Sequence, residues 1–155
     1  MKFTGEVTVK VPRAEVYKAL RDARMLASCV DGVRDLQETA PDHYAAVFET
    51  KVAYMKFGFK VAVEVTRAEE PSLIEAKVEG TPLGIVGRLT ATSATRLSEA
   101  GQGGEQATKI DYEVEAALTG KLGSLGQPVL RSKAKEMERQ FAARLEAAFA
   151  APAAS

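Results

Sequence analysis

Cysteine and histidine are all but absent from this chain of 155 residues, which holds only Cys29 and His43. A single cysteine excludes an intramolecular disulfide and suits a reducing cytosol. With one residue of each type, far apart, there is no basis for a Cys/His metal site, and neither C-x-x-C nor H-E-x-x-H spacing occurs. An excess of charge is missing too, since 21 basic and 21 acidic residues cancel. That removes the global field a nucleic-acid binder uses, and the aromatic residues are too few and scattered for a stacking platform. No apolar run approaches the roughly 20 residues of a spanning helix. The opening stretch from Met1 to Lys10 alternates where a signal peptide carries an unbroken apolar core. A soluble, cytoplasmic protein with no metal and no covalent cofactor is expected.

Signatures of catalysis are equally scarce. His43 lies in the turn Pro41-Asp42-His43-Tyr44, the place of a solvated surface residue. Cys29 has no motif around it and reads as a small buried hydrophobe rather than a nucleophile. No G-x-S-x-G elbow marks a serine, and Gly80 to Gly87 contains glycines without a Walker or dinucleotide pattern. Gly80, Gly84 and Gly87 interrupt an apolar strand, which fits either a bend in a curved sheet or room left at a cavity mouth.

What the chain has in quantity is periodicity. Phe3, Gly5, Val7 and Val9 alternate with polar residues as a half-buried strand does, and Pro12 ends the run. Two short helices follow, from Arg13 to Arg21 and from about Ala23 to Val30, the second stopped by Asp31-Gly32. Turn residues at Ala40-Pro41-Asp42, Glu69-Glu70-Pro71-Ser72, Gly80-Thr81-Pro82 and Gly101-Gln102-Gly103-Gly104 then divide about six strands. Met55, Phe57, Phe59, Val61, Val63 and Val65 form one long apolar face. Tyr44, Ala46, Phe48 and Val52 match it on the strand before, and Ile110, Tyr112, Val114, Ala116 and Leu118 on the last strand.

A sheet with one dry face needs a cover. The last thirty residues supply it, because Leu125, Val129, Met137, Phe141, Leu145 and Phe149 fall on one helical stripe with Arg131, Lys135, Glu138 and Glu146 elsewhere around the cylinder. Gly123 and Gly126 weaken the start by about 1 kcal/mol each relative to Ala, so the helix is predicted to begin near Ser124, a suitable N-cap. The Gly120 to Pro128 segment reads as a connection, and Gly120, Gly123 and Gly126 also make it a candidate gate. Arg131, Lys133, Lys135, Arg139 and Arg144 outnumber the acids of the helix. A solvated face explains them, as does a weak surface for anionic lipid or an acidic partner, at about 1 kcal/mol per residue and too little without an apolar insertion.

The order strand, two short helices, about six strands and a long helix resembles the helix-grip fold of the START-like and Bet v 1-like superfamily: α+β, with a curved antiparallel sheet of about seven strands around a C-terminal helix. Within it the chain resembles the CoxG family, named for the G subunit of carbon monoxide dehydrogenase, over essentially its whole length. The resemblance rests on Met1-Lys2-Phe3-Thr4-Gly5-Glu6, Val11-Pro12-Arg13, Tyr44, Lys51-Val52, Phe59-Lys60, the Gly120 to Gln127 segment and Gln140-Phe141-Ala142-Ala143-Arg144-Leu145. The family's Leu-Pro-Gly is replaced by Val30-Asp31-Gly32. Longer members carry an apolar C-terminal extension associated with membrane attachment, whereas Ala150 to Ser155 is too short to anchor a membrane alone. One domain is expected over 1–150, with a short disordered tail at 151–155.

The resemblance implies a cavity between sheet and helix, walled by Phe48, Met55, Phe57, Phe59, Ile85, Leu89, Tyr112, Met137 and Phe141, with Tyr112 or a nearby threonine as polar handle. Ordinary core packing would use the same residues. It further implies a non-catalytic accessory protein that binds a quinone or other lipid and assists a molybdenum hydroxylase such as carbon monoxide dehydrogenase, in the cytoplasm or peripherally at the inner face of its membrane. Two alternatives stay open: a cyclase or hydrolase-like enzyme using Tyr112 with a carboxylate, and a protein-only assembly factor with a filled core. Asp111, Glu113 and Glu115 alternate away from Tyr112, which speaks against the enzyme.

Overall fold

The computed structural model describes residues 1–150, so the tail expected at 151–155 lies outside the described residues. In chain order the elements are β1 (Lys2–Val9), α1 (Arg13–Leu20), α2 (Ala23–Ser28), β2 (Val33–Ala40), β3 (His43–Val52), β4 (Met55–Glu69), β5 (Leu73–Pro82), β6 (Gly87–Glu99), β7 (Thr108–Gly120) and α3 (Gln127–Ala150), with one 3-10 turn at Gly123–Leu125. The strands form one antiparallel sheet in the order β1-β7-β6-β5-β4-β3-β2. Short turns pair β2 to β7 as successive hairpins, while β1 joins β7 at the far edge. The helices α1 and α2 carry the chain across that gap. This is the helix-grip arrangement.

Register keeps the alternating apolar residues on a single face. Phe48 lies opposite Phe59, Val63 opposite Val78, Ala91 opposite Ala116 and Phe3 opposite Val114. Lys56, Lys60, Glu64, Glu113 and Glu115 point the other way and are exposed. Helix α3 runs roughly 36 Å at 1.5 Å per residue and approaches β1, one edge of the sheet, and β3, next to the other edge. Arg131 stands over the Phe3 ring at 5.8 Å, and Arg144 grips Asp31 after α2 through two bonds of 2.6 and 2.9 Å. The arginine hydrogen bonds hold the Asp31 carboxyl below its ordinary range.

The core divides in two. At one end Val9, Val16, Tyr17, Leu20, Leu97, Ile110 and Leu145 are buried under α1 and α2. At the other, Val52, Phe57, Phe59 and Leu122 are buried together, with Phe48 stacked on Phe59 at 6.1 Å. Thr108, between β7 and the start of α1, is fully buried and donates to the Val11 carbonyl at 2.7 Å.

Three boundaries differ from the sequence expectation. Gly80-Thr81-Pro82 does not break the sheet; β5 runs through Pro82, and the break falls at 83–86. Pairing of β5 with β6 ends at Gly80–Leu89, so proline's missing N–H costs no ladder bond there. Ser124 does not cap the long helix. Its hydroxyl donates to the Lys121 carbonyl at 2.6 Å within the 3-10 turn, Gly126 takes φ +90°, and α3 begins at Gln127. Finally, α2 stops at Ser28, with Asp22 capping its first turn and Cys29 buried as its C-cap.

Candidate functional site

Between the two dry clusters the inner face of the sheet is not sealed. Ala46, Val63, Val78, Ala91, Ser93 and Ala116 occupy its middle, where a filled core would be most deeply buried, and each is only half-buried. Most are small. Side chains of that size fill less of the layer under α3 than leucine or phenylalanine would. A cleft of about 550 Å³ lies where the β3–β4 hairpin faces the first turns of α3, lined by Val52, Ala53, Pro128, Val129, Ser132 and Lys133 among others.

One polar pair projects into this layer. Tyr112, inward on β7, donates its hydroxyl to Glu138 Oε2 of α3 at 3.3 Å. Burial chiefly, then the neighbouring carboxylate, raises the phenol above its ordinary value near 10. Gly5 makes the placement possible: it pairs with Tyr112 across β1–β7, and a Cβ there would collide with the tyrosine hydroxyl. Thr95 lies opposite Tyr112 on the other side, on the same inner face and half-buried. The tyrosine hydroxyl has one hydrogen bond to donate and gives it to Glu138, so in this arrangement both groups have only acceptor capacity left.

The residues singled out in the sequence go to different places. Phe57 and Phe59 are buried in the aromatic cluster, with Phe48 and Ile85 packed on its edge. Leu89 is half-buried on the inner face, where it would meet a Cβ at Gly80. Tyr112, Met137 and Phe141 are half-buried between the layers, and Phe141 also touches the cluster at the α1–α2 end. Met55 sits apart, 54% exposed at the hairpin tip. Among the glycines, Gly120 is pinned, because its φ is +67° and a Cβ would strike the Val86 carbonyl, while Lys121 N–H donates to that same carbonyl. Gly123 lies in the 3-10 turn, and Gly126, where an added Cβ would meet only Pro128 Cδ at 4.0 Å, separates that turn from α3.

Sequence reasoning missed Glu138, which it placed on the solvated side of α3, and the small inward residues of β6. The run Ala91, Ser93, Thr95 at alternate positions carried that signal. His43 is half-exposed, its Nδ1 2.8 Å from the Pro41 carbonyl. Among the described residues no group of three acidic, histidine or cysteine side chains could hold a metal ion, and no helix is long and apolar enough to cross a membrane.

Comparison with known proteins places this geometry. A family model described as the carbon monoxide dehydrogenase G subunit (CoxG) matches residues 5–150. A conserved protein from Geobacillus kaustophilus superposes with a TM-score of 0.86 at 24% identity, over 97% of this chain and 95% of that one. A START superfamily protein from Mycobacterium smegmatis gives 0.69 at 10% identity, over 96% of each chain. The protein Ara h 8.0201 gives 0.68 at 14% identity, over 96% of this chain and 97% of its own. Among curated proteins none matches.

Proposed function

The chain belongs to the CoxG family of carbon monoxide dehydrogenase G subunits, and we propose that it is a non-catalytic accessory protein carrying a quinone or other apolar lipid between its sheet and α3. The half-buried, small-residue centre of the inner face, lying between two fully packed clusters, is the observation that supports this. Buried apolar residues that only filled a core would leave no such centre. Leu89, Met137 and Phe141 would line the ligand, Phe48 and Ile85 would flank it, and Phe57 and Phe59 would buttress the wall. A hydroxyl on its polar head would donate to Glu138 and to the Tyr112 oxygen, whereas a quinone carbonyl, which only accepts, would need the Tyr112 hydroxyl to turn from Glu138 to it. Gly126 is the glycine best placed for α3 to shift, since Gly120 is tied to the β5–β6 loop. Family membership supports a molybdenum hydroxylase of the carbon monoxide dehydrogenase type as the partner, met at the inner face of the cytoplasmic membrane.

A second reading, an enzyme of the same superfamily, draws on the Tyr112–Glu138 pair. A general acid works best with a pKa near the operating pH, and the phenol of Tyr112 is pushed the wrong way. The pair therefore suits recognition better than proton transfer.

Native mass spectrometry of protein purified from its own host, followed by extraction of bound lipid and titration with a quinone analogue, tests the carrier reading. Near one-to-one retention or uptake is expected. A protein that arrives empty and takes up no analogue would leave the assembly-factor reading.

A further inference from the structure

The large hydrophobic residues that remain exposed are not scattered. Tyr54 is 102% exposed, Val86 77%, Met55 54% and Leu83 47%, with Val129 just behind them. All five lie on one rim. Tyr54 and Met55 form the β3–β4 turn, and Leu83 and Val86 stand in the β5–β6 loop beside it, tied on by Leu83 N–H donating to the Gly58 carbonyl at 2.8 Å. Lys121 N–H, donating to the Val86 carbonyl at 3.0 Å, joins the approach to α3, and Val129 faces Ala53 across the cleft.

Charge at this rim is one-sided in a chain that is neutral overall. The stretches 50–58, 80–90 and 117–133, which build and border it, hold no aspartate or glutamate, while Lys51, Lys56, Arg88, Lys121 and Lys133 are spread among them. The acids that border it are engaged. Glu49 is bound by Arg34 at 2.5 Å and by Lys56 at 3.3 Å, and Glu136 lies 3.5 Å from Lys133, so Lys51, Arg88 and Lys121, in no ion pair among the described residues, carry the excess. Basic residues alone add only about 1 kcal/mol each at an anionic surface and need an apolar insertion to hold. The two loop tips provide one.

We infer that this rim docks on an anionic phospholipid bilayer, with Tyr54 and Val86 entering the acyl boundary and the surrounding lysines meeting the headgroups. The cleft between the β3–β4 hairpin and α3 then opens toward the lipid, which is where an apolar ligand would be collected. The inference deepens the carrier reading by naming the surface that serves it, but its observations are exposure and charge, separate from the cavity.

The chain has no tryptophan, so Tyr54→Trp places one fluorophore at the tip without touching the core. On vesicles of phosphatidylcholine with phosphatidylglycerol, its emission should move to the blue and be quenched by brominated acyl chains. Phosphatidylcholine alone should give much less. Replacing Tyr54 and Val86 by serine together should weaken co-sedimentation roughly tenfold or more, and exchanging Lys51, Lys56 and Lys121 for glutamine should remove the preference for the anionic lipid. Emission that does not respond to vesicles overturns the inference. So does a blue shift that follows protein concentration without lipid, which would assign the rim to a second copy of the chain. Docking without uptake of a quinone analogue would keep the rim and remove the carrier reading; uptake without docking would do the reverse.

Discussion

At the end of the sheet capped by α1 and α2, Val9, Val16, Leu20, Leu97, Ile110 and Leu145 close into a sealed cluster. At the opposite end Val52, Phe57, Phe59 and Leu122 are as well buried, yet Tyr54, Met55, Leu83 and Val86, in the loops beside them, project into solvent. Apolar residues occur at both ends. The difference is cover: α1 and α2 lie over one end, while among the described residues the other is reached by Leu122, the 3-10 turn and, across an open cleft, the first turns of α3. An apolar segment is buried when some element arrives to cover it, and the loops at the open end have none.

Substitutions at the closed end should cost the most. Leu145→Ala removes a buried side chain from the cluster that α3 shares with α1, β1 and β7, and about 2–5 kcal/mol of folding stability should be lost, read by denaturant unfolding. A loss below about 1 kcal/mol would show that this end is looser than its burial implies. In the centre of the sheet the expectation reverses. Ala91→Leu should change stability by less than about 1 kcal/mol, because the carrier reading leaves room for it, yet lower the affinity for a quinone analogue roughly tenfold or more. Destabilisation as large as that of Leu145→Ala would mean the centre is packed after all.

The smallest effect is expected at Tyr112. Its phenol is raised in the folded protein, by burial first and by Glu138 second. The stabilisation this gives is complete below the unfolded value and is lost as pH rises through the folded one. Glu138→Gln should bring the tyrosine titration part of the way back toward its ordinary range, followed by phenolate absorbance with Tyr112→Phe as the reference. An unmoved titration would separate the two residues.

Much of the fold was legible because strand alternation and hairpin turns are local signals. Phe57 to Val65, Ile110 to Leu118 and the order of elements are read directly from spacing. The site was less legible. Glu138 and Tyr112 stand 26 residues apart on different layers, and their meeting depends on the rotation of α3 against the register of β7. The stripe Leu125 to Phe149 oriented α3 only approximately, since Leu125 belongs to the 3-10 turn and Val129 ends up facing the cleft. Phe57 and Met55 share one strand face in the sequence, yet one is buried and the other exposed, because the hairpin outruns its cover.

By itself, then, the sequence determined which faces of the strands and of α3 are apolar, since side-chain direction follows from backbone period alone. The tertiary structure alone decided how far α3 stands from the middle of the sheet. That distance depends on how the sheet curves and on where the helix meets it, at β1 and β3, and it is why Ala91, Ser93 and Ala116 are only half-buried while Leu145 and Ile110 are buried.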